Sequence, residues 1–285
     1  MVCIEDYEST FENKWCPGCG NFGILSALKD ALVDLELAPE QLLVVSGIGQ
    51  AAKTPHFLKC NAFHGLHGRA LPLATGAKMA NHELTIVVHS GDGDCYGEGG
   101  NHFIHAIRRN VDITVLVHNN RVYGLTKGQA SPTSDLGMVT PVQHSGTVSA
   151  PLNPLSMALV AGAGFVARGF SGHGKHLSGL IRAAVSHRGF SLIDILQPCV
   201  SLNRVNTYEW YSKRVVDLSP EGYVPDDLGA AITLSRQGED SIPLGILYQK
   251  EMPTFMDRMG AFDGRPLVAE PYDRQKRQTL LSQIG

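Results

Sequence analysis

Four short stretches of the chain are almost purely apolar and break off at glycine or a small polar residue: 42–48, 84–89, 113–118 and 191–196. Runs of this length, rich in Val, Ile and Leu, predict buried strands, and their lack of alternation predicts a sheet covered on both faces. Between them, apolar positions recur at helical spacing over 24–35, 71–81, 102–110, 154–161 and 176–187. Strand and helix in alternation predict an α/β fold, doubly wound around a mainly parallel sheet. Past Asn206 the pattern gives way to clusters of Tyr, Trp, Pro and charge, closing in a polar, helix-permissive stretch from Tyr272 to Gly285. The expectation is one α/β domain over 1–205 and a C-terminal extension over 206–285 that packs on a partner instead of forming a second core. No internal repeat or low-complexity segment interrupts this order.

With 285 residues, 43% of them hydrophobic, the chain can bury a sizeable core. Its 24 Lys and Arg against 27 Asp and Glu give a net charge of −3, which argues against a nucleic-acid partner. No apolar run approaches the roughly 20 residues of a membrane span, and residues 1–9 carry acids where a signal peptide has a basic flank. A soluble, cytoplasmic protein with no membrane partner is expected. Six cysteines are too few for a disulfide scaffold in such a chain.

The chemistry begins at His89-Ser90-Gly91-Asp92-Gly93-Asp94, a loop at the end of a predicted strand and ahead of a predicted helix. Ligands bind at that end of a parallel sheet. Glycines 91 and 93 let backbone amides approach a phosphate, and Asp92 offers a hard oxygen to a divalent cation. Alone, such a loop also reads as an ordinary tight turn. The next strand, however, ends in Asn119-Asn120-Arg121-Val122-Tyr123-Gly124, and Asn120 follows Asp92 by 28 residues. This resembles the thiamine diphosphate motif, which implies three Mg²⁺ ligands: the Asp92 carboxylate, the Asn120 side-chain oxygen and the Val122 carbonyl. Gly93 and Asp94 would touch the diphosphate.

The flanking strings Gly99-Gly100-Asn101-His102-Phe103-Ile104-His105-Ala106 and Tyr123-Gly124-Leu125-Thr126-Lys127-Gly128-Gln129 narrow the match. With Trp15-Cys16-Pro17-Gly18-Cys19-Gly20, Gly47-Ile48-Gly49, His64-Gly65-Leu66-His67-Gly68-Arg69 and Gln197-Pro198-Cys199, nearly the whole chain resembles the β subunit of 2-oxoacid:ferredoxin oxidoreductases. That resemblance implies oxidative decarboxylation of a 2-oxoacid with CoA to acyl-CoA and CO₂, electrons passing through a [4Fe-4S] cluster to ferredoxin. It implies an α subunit in an αβ or α2β2 assembly, which also supplies the carboxylate that activates the cofactor. Ile48, Gly49, His67, Gly91, Asp92, Gly93, Asp94, Asn120, Val122, Gly124, Leu125 and Thr126 would surround thiamine diphosphate. His64, His67, Lys53, Leu125 and Lys127 would form the reacting pocket.

On the residues alone the C-x-x-C pair is open to a redox dithiol, a zinc site or an iron–sulfur cluster. The resemblance favours the cluster, with Cys199 as third ligand and a fourth Cys directly after Gly-Ile-Gly. Here that residue is Gln50. Cys60, ten residues on, is the proposed replacement, against a three-Cys cluster or none at all. Cys3 and Cys95 read as bland. Lys53 and Lys127 would converge on the second carboxylate of 2-oxoglutarate, unless they are solvated or face CoA phosphates. Alternatives are pyruvate or broad 2-oxoacid specificity, a thiamine-dependent decarboxylase or synthase without electron transfer, and a non-catalytic electron-transfer scaffold.

Overall fold

The computed structural model describes the chain except residues 219–221, 239, 261–264, 270, 272 and 285. Helix α1 (Gly20–Asp34) leads into strands β1 (Leu42–Ser46) and β2 (Asn61–His64). Then come α2 (Ala70–Ala80), β3 (Thr85–Gly91), α3 (Gly100–Arg109) and β4 (Ile113–Asn119). A short hairpin, β5 (Val122–Tyr123) with β6 (Gln129–Ala130), precedes α4 (Pro154–Val160), β7 (Phe165–Phe170), α5 (Gly174–Ser186) and β8 (Phe190–Leu196). The chain continues through α6 (Tyr208–Ser212), β9 (Val215–Asp217), α7 (Leu228–Ser235), β10 (Ile242–Gln249), α8 (Phe255–Met259) and α9 (Arg274–Ile284).

Eight strands form one sheet in the order β2-β1-β3-β4-β8-β7-β10-β9, parallel from β2 to β7, with β10 antiparallel to β7. The central strands β4 and β8 are buried at every position, which is why they read as unbroken apolar runs. Successive side chains of β4 serve opposite faces. Leu116 packs with Ile24 and Leu28 of α1 and Ile181 of α5, while Val115 and Val117 pack with Ala74 of α2, Phe103 of α3 and Leu155 of α4. Each of the larger of these buried side chains contributes about 1.5–3 kcal/mol.

The chain moves outward from β1 to β2 and returns to β3 on the other side of β1. Such a reversal opens a crevice beyond the carboxyl ends of the strands. The loops after β1, β2, β3 and β4 meet there.

The extension expected over 206–285 differs from what forms. Strands β10 and β9 close the same sheet, with Gly245 opposite Arg168 of β7, and Leu218, Ala231, Leu247 and Tyr248 join the main core. Pro243 and Gly245 interrupt the apolar run of β10 and hide it from a pattern search. Most of the polar C-terminal stretch is helical, as α9; Tyr272 and Gly285 lie outside the described residues. Among the described residues no helix is long and apolar enough to cross a membrane.

Candidate active site

Past β3 the backbone makes a single π-helical turn, Gly93–Glu98, with the Gly99 amide donating to the Asp94 carbonyl at 2.9 Å. Such turns recur at functional sites. Two glycines are fixed by contact: a Cβ on Gly93 would stand 2.3 Å from the Tyr123 ring, and one on Gly47 2.0 Å from Asp94 Oδ2. The Asp94 carboxylate is a knot between loops. Its Oδ1 accepts from the Ile48 amide (3.1 Å) and the Gly68 amide (2.7 Å) and lies 2.7 Å from His67 Nδ1. Its Oδ2 accepts the Ser90 hydroxyl at 2.5 Å. Both oxygens are thus engaged by the protein itself. The Oδ1 contact holds His67, whose Nε2 lies 3.7 Å from Glu98 Oε2.

Asp92 is 1% exposed, and burial pushes its carboxyl up to about 6, against the hydroxyl bonds that favour its charge. Oδ2 accepts from Ser131 Oγ (2.5 Å) and Thr133 Oγ1 (2.6 Å), while Oδ1 has no side-chain hydrogen bond among the described residues. The Asn120 side-chain oxygen accepts the Val122 amide at 3.1 Å, a local turn that fixes this second oxygen. One carboxylate, one amide and one carbonyl oxygen are hard donors of the kind Mg²⁺ takes alongside phosphate. Among the described residues no three His, Cys, Asp or Glu side chains form a metal-holding group. A magnesium site with a single carboxylate needs none.

All twelve residues expected around the cofactor line one cavity, joined by Gln50, Ala51 and Tyr123. An adjoining cavity shares Ile48, Gly49 and Leu125 with it and adds Lys53, His56, Phe57 and His64. His56 and His64 face one another with ring centres 5.3 Å apart; burial, then the proximity of His56, holds the His64 imidazole below its usual pKa. Lys127 lines neither cavity. It sits exposed, with a left-handed φ of 80°, in the turn that joins β5 to β6. Lys53 lines the adjoining cavity and Lys127 does not, so no cavity is shared by the two cations expected to converge.

The thiol loop lies at the same end of the sheet. The Cys19 amide donates to the Cys16 carbonyl (2.9 Å), the Gly20 amide to the Pro198 carbonyl (3.3 Å), and Gln197 Nε2 to Cys19 Sγ (3.3 Å). Burial, with Cys199 and Cys16 close enough to add to it, raises the Cys19 thiol above its usual pKa. Trp15 Nε1 donates to the Gln50 carbonyl at 2.8 Å, which brings position 50 to this loop.

Residues 45–195 match the thiamine pyrophosphate enzyme C-terminal TPP-binding domain, and 199–264 match the C-terminal region of the pyruvate ferredoxin oxidoreductase β subunit. The chain is 44% identical to the 2-oxoacid:ferredoxin oxidoreductase subunit β of Saccharolobus solfataricus, over 94% of this chain and 97% of that one. It belongs to that family of β subunits. The 2-oxoglutarate oxidoreductase subunit KorB of Mycobacterium tuberculosis is 46% identical over 70% of this chain and 53% of its own. A solved 2-oxoglutarate:ferredoxin oxidoreductase from Magnetococcus marinus, with 2-oxoglutarate, coenzyme A and succinyl-CoA bound, superposes with a TM-score of 0.89 at 37% identity, covering 98% of this chain and 96% of that one.

For this β subunit the thiols need one correction. Cys60 stands directly before β2, at the amino end of the sheet, close enough to Tyr7 to influence its hydroxyl. Tyr7 in turn donates to the Leu37 carbonyl, just past the C-terminus of α1. Cys19 caps the other end of that helix, which at 15 residues is roughly 22 Å long. Cys60 is therefore remote from Cys16, Cys19 and Cys199 and is no substitute ligand. Burial pushes its thiol up to about 12.

The groups that hold Asp92 carry no signal in the sequence. Ser131 and Thr133 lie about forty residues downstream of it, and no periodicity marks a hydroxyl-rich turn. Equally silent are Tyr96 and Asn119, which both donate to the buried Asp194, at 2.9 and 3.1 Å.

Proposed function

We propose that this β subunit, with an α subunit, oxidises 2-oxoglutarate: 2-oxoglutarate, CoA and two oxidised ferredoxins give succinyl-CoA, CO₂, two reduced ferredoxins and one proton. The reading rests chiefly on the twelve cofactor residues around one cavity whose neighbour carries Lys53. Thiamine diphosphate supplies, when bound with Mg²⁺, a carbanion that adds to the 2-oxo carbonyl and holds the electrons left when CO₂ departs. Asp92, Asn120 and Val122 would hold the metal, and the amides of the Gly91–Gly93 loop the diphosphate. His67, held by Asp94, would stand beside the diphosphate. The carboxylate that activates the cofactor would come from the α subunit, in an αβ or α2β2 assembly working in the cytoplasm.

Cys16, Cys19 and Cys199 would carry a [4Fe-4S] cluster, with position 50 as the fourth corner, and pass electrons singly to ferredoxin. A four-iron cluster spans more space than a lone ion, so its sulphurs need not meet as closely as the ligands of one metal. In the adjoining cavity Lys53 would pair with the second carboxylate of the substrate by a charge-assisted bond. Replacing Lys53 with Ala should raise KM for 2-oxoglutarate about tenfold or more, while pyruvate turnover, having no distal anion, changes little. Steady-state kinetics with both acids checks this; equal losses would mean broad 2-oxoacid specificity.

A further inference from the structure

We propose that the turn at residues 131–134 is the positioning device of the metal site, Ser131 and Thr133 together turning one oxygen of Asp92 towards the cation. The inference rests on the Mg²⁺ reading above. Both hydroxyls are buried, at 8% and 5% exposure for their residues, and both reach Oδ2 of Asp92, at 2.5 and 2.6 Å. Two hydroxyl bonds to one oxygen restrain the carboxylate's last torsion and so favour one direction for Oδ1, which has no side-chain hydrogen bond among the described residues. The same turn grips the other ligand loop: Ser134 Oγ donates to the Arg121 carbonyl at 2.6 Å, between Asn120 and Val122.

The turn is itself rigid. The Ser131 amide donates to Ser134 Oγ (2.8 Å), the Ser134 amide to the Ser131 carbonyl (3.1 Å), and the Leu152 amide to the Pro132 carbonyl (2.8 Å). Pro132 locks the backbone between the two hydroxyl residues. Thr133 Oγ1 lies 2.8 Å from the Asn119 side-chain oxygen as well, and its single proton serves Asp92 or Asn119 at any instant. Ser131 thus keeps Asp92 Oδ2 bonded whichever way Thr133 points. Three hydroxyls on one turn therefore reach both segments that would supply metal ligands, without any of them entering the cavity that holds the cofactor.

The test uses the αβ complex stripped of metal and cofactor. Thiamine diphosphate binding is followed by quenching of tryptophan fluorescence while Mg²⁺ is titrated at fixed cofactor, for the parent, Ser131→Ala with Thr133→Val, Thr133→Ser alone, and Asp92→Ala. The double variant is expected to need about 10- to 100-fold more Mg²⁺ for half-saturation, to reach the parent's cofactor affinity at saturating Mg²⁺, and to melt within a few degrees of it. Thr133→Ser should titrate as the parent. A double variant with the parent's Mg²⁺ requirement, or one impaired equally at all Mg²⁺ concentrations, overturns the positioning role. If Asp92→Ala also binds as the parent, the Mg²⁺ reading itself has failed, and the two failures are thereby told apart.

Discussion

Asp92→Ala should leave the αβ complex folded and unable to retain thiamine diphosphate, with affinity at millimolar Mg²⁺ down by about 100-fold or more. The expected loss is large because Asp92 is the only carboxylate assigned to the metal; Asn120 and Val122 contribute neutral oxygens. The fold should survive because the carboxylate's side-chain partners among the described residues are only Ser131 and Thr133, beside the Gly93 backbone, and because keeping a charge at 1% exposure opposes folding, as its raised pKa shows. Equilibrium dialysis with thiamine diphosphate, beside far-ultraviolet circular dichroism, measures both. Full cofactor occupancy in this variant would refute the metal assignment, and with it the reading of the loop after β3.

The second large effect concerns iron. Cys19→Ser should empty the cluster site, since Cys19 lies near both Cys16 and Cys199 and receives the Gln197 amide. Cys60→Ser should leave iron content and visible spectrum unchanged, because Cys60 lies beyond the far end of α1. Gln50→Cys should slow the loss of iron in air: the Trp15 bond brings position 50 to the thiol loop, and thiolate binds iron far better than an amide. Iron per folded protein, assayed after anaerobic purification, separates these outcomes. Loss of iron in Cys60→Ser, with Cys19→Ser unaffected, would overturn the arrangement.

How much of this is legible in the sequence depends on whether the signal is periodic or local. Strands β1, β3, β4 and β8 are visible because burial on both faces leaves long apolar runs. Strand β2 has all four residues exposed and β7 carries Arg168-Gly169 in mid-run, so neither has a readable pattern. The diphosphate cavity is legible because its residues fall in short motifs at the ends of readable strands. Cys60 misleads because nearness in sequence to His64 says nothing of direction: β2 starts just after Cys60, ends at His64 and carries the chain about 13 Å along the sheet. Lys127 is exposed in a turn where it takes a left-handed backbone, which its residue type does not announce.

The central claim is a decarboxylation whose electrons leave through iron and sulphur. The most direct test takes the α and β subunits, coexpressed and purified without oxygen, and records their visible absorbance before and after 2-oxoglutarate with CoA, and separately after pyruvate with CoA. The expected result is a brown protein whose iron–sulphur absorbance bleaches with 2-oxoglutarate and CoA and much less with pyruvate. A colourless complex that nonetheless binds thiamine diphosphate, or a coloured one that neither acid bleaches, would contradict it.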